Sequence, residues 1–151
     1  MTAAEVVAGV GVGPTRPGFR DGVAVVVVRR DASWRALILV GLRRGAHGAG
    51  TWSVPGGKPE PGDTLAEAGA RELAEETGLA GSLARYLGDC YDTFEGQSWR
   101  THYLLFEAPG EPYVREPHKC ERWEWHSPDS LPAPLFAPLA TFLAAGGFAG
   151  L

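Results

Sequence analysis

The stretch from Gly57 to Leu79, GKPEPGDTLAEAGARELAEETGL, constrains this chain more than any other. Thr64 with Glu67 three residues on is a capping box, so a helix is expected from about Leu65. Alanine, leucine and glutamate fill it, all good helix formers, and Gly78 stands where a left-handed residue ends a helix. At 100° per residue, Ala66, Ala70, Leu73 and Thr77 share a stripe expected to face the core. Glu72, Glu75 and Glu76 fall on another face with Leu65, Ala68 and Gly69. Carboxylates crowded in this way repel one another unless they share a cation, and hard oxygen donors suit Mg²⁺ or Mn²⁺. Arg71 is one turn before Glu75 and within reach of Glu67, so it is expected to orient a carboxylate. The plainer reading, a solvated acidic helix face, would hold for an arbitrary run of acids.

The rest of the chain frames that helix. Its 151 residues make one domain's worth of core, and 44% hydrophobic with 21% charged residues is ordinary for a globular protein. A net charge of −4 leaves no electrostatic footprint for duplex nucleic acid. No apolar run reaches membrane-spanning length, and the N-terminus lacks the basic start of a secretory signal. Cys90 and Cys120 form no CxxC, so reduced thiols and a cytoplasmic location are expected.

Residues 1–18, rich in Gly, Ala and Pro, are expected to form a loose arm ahead of a single domain over 19–151. Gly22–Arg30 is a β-branched run typical of a strand buried on both faces, and Ala36–Arg43 is its partner. Gly45–Gly50 is a glycine loop, Thr51–Val54 a short strand, and Pro55-Gly56-Gly57 a tight turn into the helix. Ala84–Phe94 and Arg100–Glu107 predict a hairpin turning at Glu95-Gly96-Gln97. Glu111–His118 is a charged connection, Cys120–His126 a strand, and Phe136–Ala145 a final helix with Pro138 in its first turn. The fold class is α/β, with a mixed β-sheet between helices.

Taken by spacing, Gly57, Asp63, Arg71-Glu72, Leu73, Glu75-Glu76, Gly78 and Leu79 resemble the signature of the Nudix hydrolases. One position departs, since Asp63 stands where that family usually has Glu. The resemblance implies a Nudix-type α/β/α sandwich and divalent-metal-dependent hydrolysis of nucleoside diphosphates linked to another moiety. It implies Glu72, Glu75 and Glu76 as metal ligands, with Glu75 also in the catalytic set. Arg71 is the implied orienter of a glutamate, and the Gly57 carbonyl a further ligand. Asp63 is left a supporting role.

The general base lies outside the motif in this family. Glu121 is the first candidate, with an ordinary surface strand residue as the alternative; Glu95 is a poorer one. His47 reads as a loop residue near the substrate entrance, His102, His118 and His126 as structural. Trp52 and Trp99 are the tryptophans expected nearest the site. GLRRGAHGAGTWSVPGGKPEPGD and EPHKCERWEWHSPDSLPAPLFAPL resemble the MutT-like branch, which cleaves nucleoside triphosphates, including oxidised or modified ones, to monophosphate and pyrophosphate. Phe136 then stands at a base-stacking position, with Ala137 where a second aromatic is often found. Arg43 and Arg44 are the phosphate-binding candidates, with solvated surface charge as the alternative. ADP-ribose, nucleotide-sugar or dinucleotide cleavage is the competing enzyme reading, and an inactive nucleotide-binding module is the reading from another class. The expected partner is a nucleotide, and a homodimer is left open.

Overall fold

The computed structural model describes residues 12–151. Its strands are β1 (Arg20–Arg30), β2 (Ala36–Arg43), β3 (Trp52–Ser53), β4 (Gly56–Gly57), β5 (Ser82–Phe94), β6 (Gln97–Glu107) and β7 (Cys120–His126). Its described helices are α1 (Leu65–Thr77) and α2 (Ala137–Ala144). The sheet runs β3-β2-β1-β6-β5, with β4 paired to β1 and β7 to β2. β1 runs parallel to β6 and antiparallel to β2, which makes the sheet mixed.

The Val-rich run of β1 explains why it is central. Val23, Val25 and Val27 pack with Leu65, Ala68, Leu73, Leu104 and Phe106 on the α1 face. Ala24 and Val26 pack with Ile38, Val40, Leu139 and Phe142 on the α2 face. Alternate residues of one strand thus serve two cores, which is why apolar residues follow one another without polar interruption.

α1 begins as its sequence dictates. The Thr64 side chain accepts from Glu67 N, the Glu67 side chain accepts from Thr64 N, and Gly78 closes the helix at φ 78°. Its buried face differs from the expected stripe. Leu65, Ala68, Gly69, Leu73 and Thr77 are buried, while Ala66 and Ala70 are only partly so. Glu72 and Glu76 are therefore partly buried along the packed side, while Glu75 stays exposed. Beyond the helix, the 111–118 connection straps its C-terminal end. Tyr113 N donates to Thr77 O (3.0 Å), and Arg115 Nη1 donates to Ala74 O (3.0 Å). A guanidinium there adds a second donor to a carbonyl that already accepts from Gly78 N, and it opposes the negative end of the helix dipole.

Three further local readings change. Gly56-Gly57 is not a free turn but a two-residue strand, paired Ala24↔Gly56 and Val23↔Gly57. A Cβ on Gly56 would overlap the Val23 carbonyl, so the pairing needs glycine. The β5–β6 turn is the two-residue Glu95-Gly96, both at positive φ, with Gln97 already paired to Phe94. Two left-handed residues match the twist of a tight hairpin. Of the arm expected over 1–18, residues 1–11 lie outside the described residues. The described part is held by buried Arg100, which donates to Val12 O (2.6 Å), Gly13 O (2.9 Å) and Thr15 Oγ1 (3.2 Å). His102 is fully buried, with Nε2 at 2.8 Å from Asp21 Oδ1 and Nδ1 at 2.9 Å from Tyr86 Oη. No helix among the described residues is long and apolar enough to cross a membrane.

Candidate active site

Glu72 and Glu76 lie one turn apart on α1 and meet the Gly56-Gly57 strand. Gly56 N donates to Glu76 Oε2 (3.0 Å). The Glu72 carboxyl presses against Gly57, where any Cβ would overlap it. Burial first, and then the charge of Glu72, pushes the Glu76 carboxyl well above the usual carboxylate range. Burial and then the charge of Glu75 raise Glu72 as well. Glu75 itself stands beside the pair on the solvent side, half exposed.

Among the described residues no three His, Cys, Asp or Glu side chains stand close enough together to cage a metal ion. The acids form a tight pair with Glu75 alongside. The chemistry of the donor set nonetheless fits a hard divalent cation. Two desolvated carboxylates, both with raised pKa, a third next to them and a bare glycine backbone are oxygen donors with unmet negative charge.

Arg71 is organised by Asp63. Its Nη1 donates to Asp63 Oδ2 and its Nη2 to Lys58 O (3.1 Å), and Glu60, Glu72 and Glu75 ring it at 3.7–3.9 Å. The hydrogen bond to Asp63 raises the already high pKa of Arg71. Glu67, the other partner expected from spacing, is engaged in the capping box instead. Asp63 also accepts from Glu60 N (2.8 Å). Its support is therefore to the turn and to Arg71, while Thr64 caps the helix.

The two candidate arginines separate, as neighbours on a strand end do. Arg43 faces inward. Its Nε donates to His47 O (3.0 Å), its guanidinium lies 4.1 Å from the centre of the Phe136 ring, and both Glu76 and Glu95 act on its charge. Arg44 faces the other way, donating to Pro117 O (3.2 Å) and pairing with Glu121 at 3.7 Å. Glu121 pairs in turn with Arg122 at 3.3 Å. The carboxylate that reaches Glu76 from outside α1 is Glu116, whose charge helps to raise the Glu76 pKa. Sequence reasoning passed over Glu116. Its one signal was an acid followed directly by Pro117, at the end of a segment too short and irregular for periodicity to speak.

Gly57 also lines one end of a cleft of about 260 Å³. Phe94 and Phe136 wall the other end, edge to face with centres 5.2 Å apart. Gly22 and Ala24 of β1, small residues, line the cleft beside their register partners Thr101 and Tyr103 of β6. Trp99 lines the cleft; Trp52 is buried, and its carbonyl accepts from Phe136 N (2.9 Å), which ties down the start of α2 where that ring sits. At the mouth, His47 Nδ1 lies 2.8 Å from Glu95 Oε2, and Gly48 N donates to Glu95 Oε1 (3.2 Å). Both oxygens of Glu95 are thereby engaged in joining the glycine loop to the hairpin tip.

The NUDIX domain family model matches residues 18–145. An RNA pyrophosphohydrolase of Erythrobacter litoralis is 27% identical over 134 residues, covering 76% of this chain and 79% of that protein. An oxidized purine nucleoside triphosphate hydrolase of Danio rerio is 32% identical over 97 residues, covering 63% of this chain and 61% of that protein. The crystal structure of a MutT NUDIX hydrolase from Burkholderia pseudomallei superposes with a TM-score of 0.71 at 32% identity, covering 83% of this chain and 95% of the other. With the signature carried on α1 and the match extending across the whole sheet, the chain belongs to the Nudix family and is a hydrolase of phosphoanhydride bonds.

Proposed function

We propose that the chain hydrolyses nucleoside triphosphates, ordinary or with an oxidised or modified base, to nucleoside monophosphate and pyrophosphate, using Mg²⁺ or Mn²⁺. The observation that carries this reading is a juxtaposition. A raised-pKa acid pair at Gly57 adjoins an aromatic-walled cleft whose about 260 Å³ suits one nucleoside rather than two. Ligand pockets commonly run to about 300–1,000 Å³, so this one is small. The names of the relatives, a pyrophosphohydrolase and a triphosphate hydrolase, agree with it. ADP-ribose, nucleotide sugars and dinucleotides call for a second subsite of comparable size.

In this reading Glu72, Glu75, Glu76 and the Gly57 carbonyl hold the divalent cation, and Glu116 adds a fourth carboxylate to the set. When bound, the cation neutralises the polyphosphate and stabilises charge on the departing pyrophosphate. Arg71, anchored by Asp63, keeps Glu72 and Glu75 turned toward the site. Glu75 is the most exposed acid of the cluster and takes the proton of the attacking water. In this reading Glu75, rather than the first candidate Glu121, is the base, because Glu121 is paired with Arg44 and Arg122. Arg43 meets the phosphates, since it lines the cleft beside Phe136 and interacts with the charge of Glu76. Phe136 gives the base a face to stack on. Arg44 braces the loop that carries Glu116 rather than touching substrate.

The test is a competition assay with Mg²⁺ among common and oxidised nucleoside triphosphates, a 5′-triphosphorylated oligoribonucleotide, ADP-ribose and a dinucleoside polyphosphate. The free triphosphates are expected to turn over at least about tenfold faster than ADP-ribose, since one cleft serves one nucleoside. Rapid ADP-ribose cleavage with triphosphates left intact contradicts the substrate class. Preferential turnover of the oligoribonucleotide shifts it to RNA ends.

A further inference from the structure

Three buried hydroxyls line the cleft, and the acid site makes no use of them. Ser53 is 8% exposed, Thr101 9% and Tyr103 1%. Among the described residues no buried side-chain polar atom is sealed off without a partner. All three residues line the cleft. Their positions are fixed by the fold. Thr101 and Tyr103 are two apart on β6 and so share a face, and the Tyr103 ring stacks on Phe142 at 3.9 Å and 2°. Gly22 and Ala24, their register partners on β1, add no side chain larger than a methyl there.

A desolvated hydroxyl without a partner is unfavourable, and a ligand that supplies one gains most where water is excluded. Aromatic walls select a flat ring, and the hydroxyls beneath select a ring with a hydrogen-bonding edge. We propose that Ser53, Thr101 and Tyr103 form a floor that hydrogen-bonds the edge of the nucleobase and makes this enzyme select a hydrogen-bonding base over an apolar ring of the same shape. A hydroxyl both donates and accepts. The floor therefore accommodates either polarity of base edge and discriminates little among natural bases, but strongly against an apolar ring of the same shape.

This rests on the triphosphate reading above, and the test separates the two. Turnover of thymidine triphosphate is compared with that of its difluorotoluene isostere in the wild type, Thr101→Val and Tyr103→Phe. Wild type is expected to favour thymidine triphosphate by at least about tenfold in kcat/KM, the scale of one lost hydrogen bond in a water-poor site. Each variant is expected to bring that ratio several-fold closer to one, through KM for the natural base rather than through kcat. Ser53→Ala replaces Thr101→Val if the latter does not fold. A wild-type ratio near one, or a ratio unchanged in the variants, overturns the floor. If no triphosphate is hydrolysed at all, the triphosphate reading fails. Calorimetric binding of thymidine monophosphate against the isostere monophosphate then decides the floor by the same ratio.

Discussion

Glu76→Gln is expected to cut turnover by at least about a hundredfold, about 2.7 kcal/mol of barrier, while leaving the protein folded. The substitution keeps the shape and an oxygen to accept from Gly56 N. It removes the negative charge that a divalent cation needs. It also removes a buried carboxylate whose pKa is raised first by burial and then by the charge of Glu72. The metal-free variant should therefore melt no lower than wild type, and higher if repulsion dominates. Loss of activity with retained or increased stability is the signature of a residue kept for function. Steady-state kinetics together with a melting curve in chelator check both halves. Turnover within a few-fold of wild type would remove Glu76 from the site.

Gly57→Ala should be nearly as damaging, for a steric reason. The added methyl would overlap the Glu72 carboxyl, which must turn away from the strand. Outward displacement of one oxygen donor is expected to weaken metal affinity and turnover by about 10–100-fold. Gly57 is not among the residues at positive φ, so alanine can adopt its backbone, and folding should change by less than about 1 kcal/mol. Gly56→Ala is the instructive contrast. There the methyl meets the Val23 carbonyl of the neighbouring strand, and the fold itself must give way. Titrating activity against Mg²⁺ for the two variants, beside their melting temperatures, separates a damaged site from a damaged sheet. Wild-type Mg²⁺ dependence in Gly57→Ala would contradict the close approach.

What the sequence made legible was local or strongly periodic. The capping box at Thr64 and Glu67, the Gly78 stop, the doubly buried β1 and the acidic helix are all set by neighbours within a few residues. The α1 face was misjudged because a helical wheel assumes that acids and core lie apart. Here the packed face runs from Leu65 and Ala68 into Glu72 and Glu76, so a carboxylate pair continues the hydrophobic stripe. The β4 pairing could not be read from Gly56-Gly57, since two glycines carry no pattern and their register is chosen by β1. Arg43 and Arg44 looked equivalent as adjacent charges. Strand alternation would have separated them, one into the cleft and one onto the loop of Glu116. The place of Glu116 depends on a strap folding back over the end of α1, a tertiary event with no local signature.

The measurement closest to the central claim is the product of a single reaction, followed by phosphorus NMR with a nucleoside triphosphate and Mg²⁺. Cleavage of the anhydride between the first and second phosphates predicts nucleoside monophosphate and pyrophosphate in equal amounts, none in excess chelator, and recovery when Mg²⁺ or Mn²⁺ is restored. Release of inorganic phosphate with nucleoside diphosphate, or undiminished hydrolysis in chelator, would contradict the account.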